Sequence, residues 1–345
     1  MATAETECLD DRKFKNYIIL SYLGQGYSGT VWKALHRLTK HVVAIKSVQM
    51  SALRAYQLAL LRYEIAAMKV ISHPNIVMLY EVIEDEQEVH IVMEHCADCN
   101  LLHFLDKGGR LQEAEAMKIF RQLLEAVVYI HKSGFVHRDI KPDNVMYDGE
   151  GTVKLIDFGF CIKPSALPDD SIPAKSGSPV YMPPESVGKN EYDLYKADAW
   201  SLGATLFEML TTQLPFDGAS IQEVRRAIVE EELVIPDYVS DDCSRIIQAL
   251  LVKDPDNRTS CKELHQKLKK HTPTRKLSWK FKRSRQLSKR CVEKMAEYYA
   301  KSEPEMAELI SAWEYNDISA TYLILQDQKA KKEKERLNCI NCVIL

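Results

Sequence analysis

The chain has no apolar run approaching the 18 to 20 residues that a membrane-spanning helix takes, and its mean hydropathy is −0.26. Residues 1–10 carry Glu5, Glu7 and Asp10 and lack an apolar core, so they do not read as a secretory leader. The nine cysteines are odd in number and scattered, which argues against a disulfide framework and for free thiols in a reducing, cytoplasmic setting. A net charge of −3 and a pI of about 6.4 give no overall basic excess, and no DNA partner is expected. No internal repeat of 20 to 50 residues is visible. What is there is ordinary globular composition, 46% hydrophobic and 28% charged, which excludes a disordered chain. At 345 residues, two or three folded units are expected.

The near-neutral charge is an average over two unlike parts. Between Lys262 and Lys294 thirteen cations face two anions, a surplus of 11, which leaves the remainder at −14. So sharp a break, with Thr272-Pro273-Thr274 supplying turn chemistry, marks a boundary near residue 272. The reading is a tail over 1–16, a large domain over 17–271, a basic linker over 272–286, a small helical domain over 287–327 and a charged tail over 328–345.

The large domain opens with strand signals at Tyr17-Ile18-Ile19-Leu20 and Val42-Val43-Ala44-Ile45. Between them lie Gly24, Gly26 and Gly29, spaced so that a hairpin turn can approach a phosphate chain and offer it N–H groups. Thr30-Val31-Trp32 continues as strand after the third glycine, which excludes a dinucleotide-binding helix there. Lys46 ends an apolar stretch, where an ammonium is costly without an anion. Residues 54–71 have helical spacing, with Glu64 among the apolar positions Leu58, Leu61, Ile65 and Met68.

Then come His137-Arg138-Asp139-Ile140-Lys141-Pro142-Asp143-Asn144 and Asp157-Phe158-Gly159. With the glycine-rich turn, the strand lysine and the helix glutamate ahead of them, in that order, the chain resembles a protein kinase from about Tyr17 to His271. The resemblance implies an α+β, bilobal fold with a small strand-rich lobe and a large helical lobe. It implies ATP and Mg²⁺ as cofactors and a protein substrate. Lys46, oriented by Glu64, would grip the α- and β-phosphates, and Asn144 and Asp157 would hold Mg²⁺. Asp139 would accept the proton of the attacking hydroxyl. Lys141 matches the serine/threonine branch and would stabilise the γ-phosphate. Val31, Ala44 and Met146 would sandwich the adenine. Met93-Glu94-His95-Cys96 resembles the hinge, whose backbone meets the ring edge. Cys96 and Cys99 have a CxxC counterpart only at Cys339 and Cys342, far along the chain, so a zinc pair is disfavoured. Asp198 would cap the backbone of the catalytic loop, and Arg258 would pair with Glu185.

The activation segment, Asp157 to Glu185, departs from the pattern in two places. Its Ala-Pro-Glu ending reads Pro183-Pro184-Glu185. Gly177-Ser178-Pro179-Val180-Tyr181 resembles the AMP-activated protein kinase group, yet the threonine phosphorylated there by an upstream kinase is Ala174 here. Arg138 still implies an anionic partner, with Ser176 or Ser171 once phosphorylated, or Asp169 and Asp170, as candidates. Asp143 suggests basic peptide side chains in the substrate, while Asn100 stands where arginine-seeking kinases carry a glutamate.

Residues 287–299, 304–315 and 316–327 read as three short helices, with Ser302 and Asn316 as N-caps and Pro304 in a first turn. The stretch from Trp313 to Leu325 is similar to the last helix of the ubiquitin-associated-like domain in AMP-activated-kinase relatives. Cys342-Val343-Ile344-Leu345 is a C-a-a-X pattern, whose leucine favours geranylgeranyl and so a prenyltransferase and membrane lipids as partners. One lipid chain anchors weakly, and Cys339, as a palmitoylation site, or the cations Lys329, Lys331, Lys332, Lys334 and Arg336 would be the second signal. The expectation is a peripheral membrane enzyme. The alternative is a catalytically inactive kinase-fold scaffold at membranes, which would have lost Lys46, Asp139 or Asp157; all three are present.

Overall fold

A computed structural model describes residues 14, 16–26, 29–96, 99–166, 177–187, 192–271, 287–331 and 337. The chain folds into two compact units. The first comprises Met1–Leu53, Met78–His95 and Arg283–Leu345, and the second comprises Arg54–Val77 and Cys96–Lys282.

In the first unit, β-branched runs form an antiparallel sheet of β1 (Tyr17–Gln25), β2 (Thr30–His36), β3 (Val42–Gln49), β4 (Leu79–Glu84) and β5 (Glu88–Glu94), in the order β1-β2-β3-β5-β4. The end strand β1 is largely exposed, while β3 and β5, each with a neighbour on both sides, are buried along most of their length.

The second unit holds α1 (Ala55–Val70), α2 (Leu101–Gly108), α3 (Glu113–Lys132), the short hairpin β6 (Val145–Tyr147) and β7 (Val153–Leu155), α4 (Leu194–Thr211), α5 (Ile221–Glu230), α6 (Asp241–Leu250) and α7 (Cys261–His271). The helix signal at 54–71 corresponds to α1, with Glu64 buried as its spacing required. Every residue of α4 from Ala197 to Thr211 is buried, as a helix packed by α3, α6 and α7 must be. Trp200 on α4 stacks on Phe216, with ring centroids 5.8 Å apart.

The first unit is completed by α8 (Lys289–Tyr298), α9 (Glu303–Ser311) and α10 (Asp317–Ala330). Ser302 accepts the Glu305 N–H and Asn316 the Ser319 N–H, as N-caps do. Cys291, Val292, Met295, Met306, Ile310, Tyr322 and Leu325 make their core. The last helix runs to Ala330, past the position where the sequence places the start of a tail. The reason is tertiary, since α10 packs on β4 as well as on α8 and α9. The Val82 N–H of this end strand donates to the Tyr315 carbonyl at 2.9 Å, which closes part of the sheet edge. The linker over 272–286, the activation-segment candidates Asp169, Asp170, Ser171, Ala174 and Ser176, and the lipidation candidates Cys339 and Cys342 lie outside the described residues.

Candidate active site

In the first unit, β1 and β2 form the hairpin that carries the glycines, pairing Gly24 with Val31 and Gln25 with Thr30. Gly26 N–H donates to the Gly29 carbonyl at 2.8 Å. A Cβ on Gly29 would lie 2.2 Å from the Ser47 carbonyl oxygen, so the third glycine is fixed by the approach of its turn to β3. Lys46 is a buried lysine directly across from Val31 on β2 and Ile91 on β5. Ala44, two residues earlier and on the same face, is buried opposite Met93. Glu94 is buried at the end of β5, with its N–H on the Met78 carbonyl at 2.8 Å. Glu64, Met146 and Cys96 belong to the second unit, where Glu64 is buried on α1, Met146 is half-buried on β6 and Cys96 is half-buried. Asn100 is the N-cap of α2, its side chain accepting the His103 N–H at 2.8 Å.

The second unit gathers the catalytic loop around one buried carboxylate. Asp198 accepts the backbone N–H of His137 at 2.9 Å and of Arg138 at 2.8 Å, and its Oδ2 lies 2.8 Å from His131 Nε2. Burial alone would raise its pKa, but the bonds from His131 and the His137 backbone outweigh that and hold the carboxyl below its usual range. The loop is thereby pinned in a conformation with Arg138 at φ 67, a strained value for a side chain of that size. Asp157 sits at φ 58, and its Oδ1 accepts the Gly159 N–H at 3.1 Å.

Both oxygens of Asp139 are engaged. Oδ1 accepts the Ser178 N–H at 2.9 Å. Oδ2 accepts the Asn144 amide at 2.8 Å and lies 3.2 Å from the Lys141 ammonium. Lys141 Nζ also donates to Ser178 Oγ at 2.6 Å. With its amide nitrogen spent on Asp139, Asn144 keeps its Oδ1 as an oxygen donor, and its carbonyl accepts the Ile156 N–H at 2.9 Å, one residue before Asp157. That main-chain bond ties the backbones next to Asn144 and Asp157, whose side chains both offer the oxygen donors a hard cation prefers.

Ser178 enters this cluster through Gly177. That residue has φ +119, and a Cβ there would stand 2.3 Å from the Arg138 carbonyl oxygen. The sequence identifies the Gly177-Ser178 segment, while the contact of Ser178 with Asp139 and Lys141 depends on a fold across 39 and 37 residues and has no local signature. Tyr181, three residues on, donates to the buried Glu208 at 2.6 Å. Burial, with Asp143 and Asp106 nearby, raises the Glu208 carboxyl to about 7 against the opposing hydrogen bond.

Glu185 and Arg258 form the expected pair, bidentate at 2.7 and 2.8 Å and almost wholly buried. Arg258 donates further to the carbonyls of Val252, Lys196 and Lys253, and its guanidinium lies 5.0 Å from the Trp200 ring centre.

A strand lysine, a helix glutamate, a carboxylate-centred catalytic loop and a buried Glu–Arg anchor are the parts of a protein kinase, and the chain belongs to that family. The protein kinase domain model matches residues 17–268. The family uses ATP and Mg²⁺. The particular relatives are maternal embryonic leucine zipper kinases. Those of Xenopus laevis and Xenopus tropicalis are each 33% identical over 326 residues, and that of Danio rerio is 32% identical over the same length. The match covers 94% of this chain but only about half of each relative, 48 to 50%. Residues 287–329 match the model described as the ubiquitin-associated (UBA) domain of maternal embryonic leucine zipper kinase, so α8 to α10 form a domain of that type.

Proposed function

We propose that the chain is a serine/threonine protein kinase that moves the γ-phosphate of ATP to a protein hydroxyl. The observation that carries this reading is the Asp139 carboxylate. It is held on one oxygen by the Ser178 N–H and on the other by Asn144 and Lys141, so its orientation is set before substrate arrives. In that role Asp139 accepts the proton of the incoming Ser or Thr hydroxyl. Lys141 places positive charge beside the same carboxylate, where charge on the transferring group develops. Lys46, on the sheet under the glycine hairpin, is the cation for the remaining phosphates. Asn144 and Asp157 would hold Mg²⁺, whose charge offsets that of the phosphate oxygens.

The direct test is transfer of label from ATP to an arrayed peptide library by the purified full chain. Labelling confined to peptides with Ser or Thr supports the reading. No labelling of any peptide, with the protein folded, contradicts it. Acidic Asp143 supports a preference for basic residues near the target hydroxyl, which the same array reads.

Two sequence expectations are carried forward on the sequence alone. Phosphorylation of Ser176 switches the enzyme on, which Arg138 beside the catalytic aspartate supports; full activity of Ser176→Ala would contradict it. Prenylation of Cys342 attaches the protein to membranes where Leu345 is the last residue translated, and the mass of the C-terminal peptide from cells tests this. Among the described residues no helix is long and apolar enough to cross a membrane. Lys331, counted above as part of a basic patch beside that motif, is instead committed to Glu94 and Asp327.

A further inference from the structure

The end of α10 carries charge into the edge of the sheet. Asp327 is fully buried, accepts a hydrogen bond from the Tyr80 hydroxyl at 3.3 Å and has His41 Nε2 within 3.5 Å of its Oδ2. Gln328, the next residue, donates to the Thr39 carbonyl at 3.2 Å. One turn beyond Asp327, the Lys331 ammonium lies 2.8 Å from Asp327 Oδ2 and 3.1 Å from Glu94 Oε1. Burial works against that charge, but Glu94 and Asp327 outweigh it and hold the ammonium well above its ordinary range.

Glu94 ends β5 two residues before Cys96, in the segment whose backbone the kinase reading assigns to the adenine ring. Its backbone is tied to Met78 and its carboxylate is buried, so the side chain has little freedom to leave. A buried carboxylate is costly unless a cation compensates it. A helix more than 230 residues away supplies one here. The ion pair therefore fixes the strand end from which the nucleotide-binding backbone departs.

We propose that Lys331 is a positioning residue for nucleotide binding, its ammonium holding the buried Glu94 carboxylate and with it the strand end that leads into the nucleotide-binding backbone. This rests on the kinase reading above.

The test measures binding of Mg·ADP and steady-state kinetics on the full chain. For Lys331→Met, the Mg·ADP Kd and the KM for ATP rise by about threefold to tenfold, while kcat at saturating ATP stays within about twofold. Lys331→Arg restores both. Gln328→Ala removes a docking contact but keeps the ion pair, and it leaves the KM for ATP near that of the unaltered chain.

Unaltered Kd and KM in Lys331→Met overturn the proposal. So does an equal rise in Gln328→Ala, which would assign the effect to docking in general. If the unaltered chain binds Mg·ADP while Lys331→Met is neutral, only this inference fails. If the unaltered chain does not bind Mg·ADP, the kinase reading and this inference fail together.

Discussion

Asp139 and Gly177 show how single residues set the chemistry here. The Asp139 carboxylate is useful as a base only if it is held in one orientation, and the Ser178 N–H that holds it depends on a glycine at the preceding position. Gly177→Ala would force a Cβ to 2.3 Å from a carbonyl oxygen at a φ that side chains rarely adopt. We expect a loss of about 1–3 kcal/mol of stability and a kcat reduced more than tenfold, with little change in KM for ATP. Urea unfolding and steady-state kinetics check both.

Buried titratable groups make a second residue-scale prediction. Burial raises the Glu81 carboxyl from its ordinary 4.5 to about 7, with Asp317 adding to this and the Tyr17 hydrogen bond opposing it. The folded chain thus holds that proton more tightly than the unfolded one. The resulting stabilisation is complete below about pH 4.5 and is lost as pH rises through 7. His36 has the opposite sign, since burial and then His41 lower it from 6.5 to about 3. Its contribution is present above 6.5 and is lost as pH falls toward 3. Glu81→Gln should therefore flatten the fall in melting temperature between pH 5 and pH 8. An unchanged profile would contradict the assignment.

Among the elements, α4 shows most clearly how the sequence specifies a scaffold. It delivers Asp198 to the catalytic loop from one end and packs Trp200 against the Arg258 guanidinium. Because Arg258 and Glu185 are both buried, Glu185→Ala leaves a guanidinium without its carboxylate. A destabilisation of roughly 3–5 kcal/mol is expected, measured by denaturant unfolding, with Glu185→Asp losing less.

Much of this scaffold is readable from order and spacing alone. The motifs from Gly24 to Arg258 carry the family resemblance, and the roles of Asp198, Glu185 and Arg258 are implied by that resemblance. Helix spacing also places Glu64 inside and Ser302 and Asn316 at caps. What escapes the sequence is the last turn of α10 and its docking on the sheet. Buried on nearly every side between α8, α9 and β4, the helix shows no polar face to separate from an apolar one. Lys331 reads as one cation in a charged run because its partner Glu94 is 237 residues earlier.

Across the first unit, the C-terminal helices serve as structure for the sheet. They meet the Val82 N–H of the end strand, cover Tyr80 and neutralise Glu94. Deleting residues 287–345 should lower the melting temperature of the remainder by at least about 5 °C, the equivalent of 1–2 kcal/mol or more for a domain of this size, and increase its tendency to associate through the uncovered edge. A truncated chain as stable and as monomeric as the whole would show that the docking is not structural.

The central claim, that Asp139 is poised as the base of a protein phosphotransferase, is tested most directly by Asp139→Asn. Phosphotransfer to a Ser peptide at saturating ATP should fall by at least about a hundredfold, while the Kd for Mg·ADP stays within a few-fold of the unaltered chain. Transfer at an undiminished rate would contradict it.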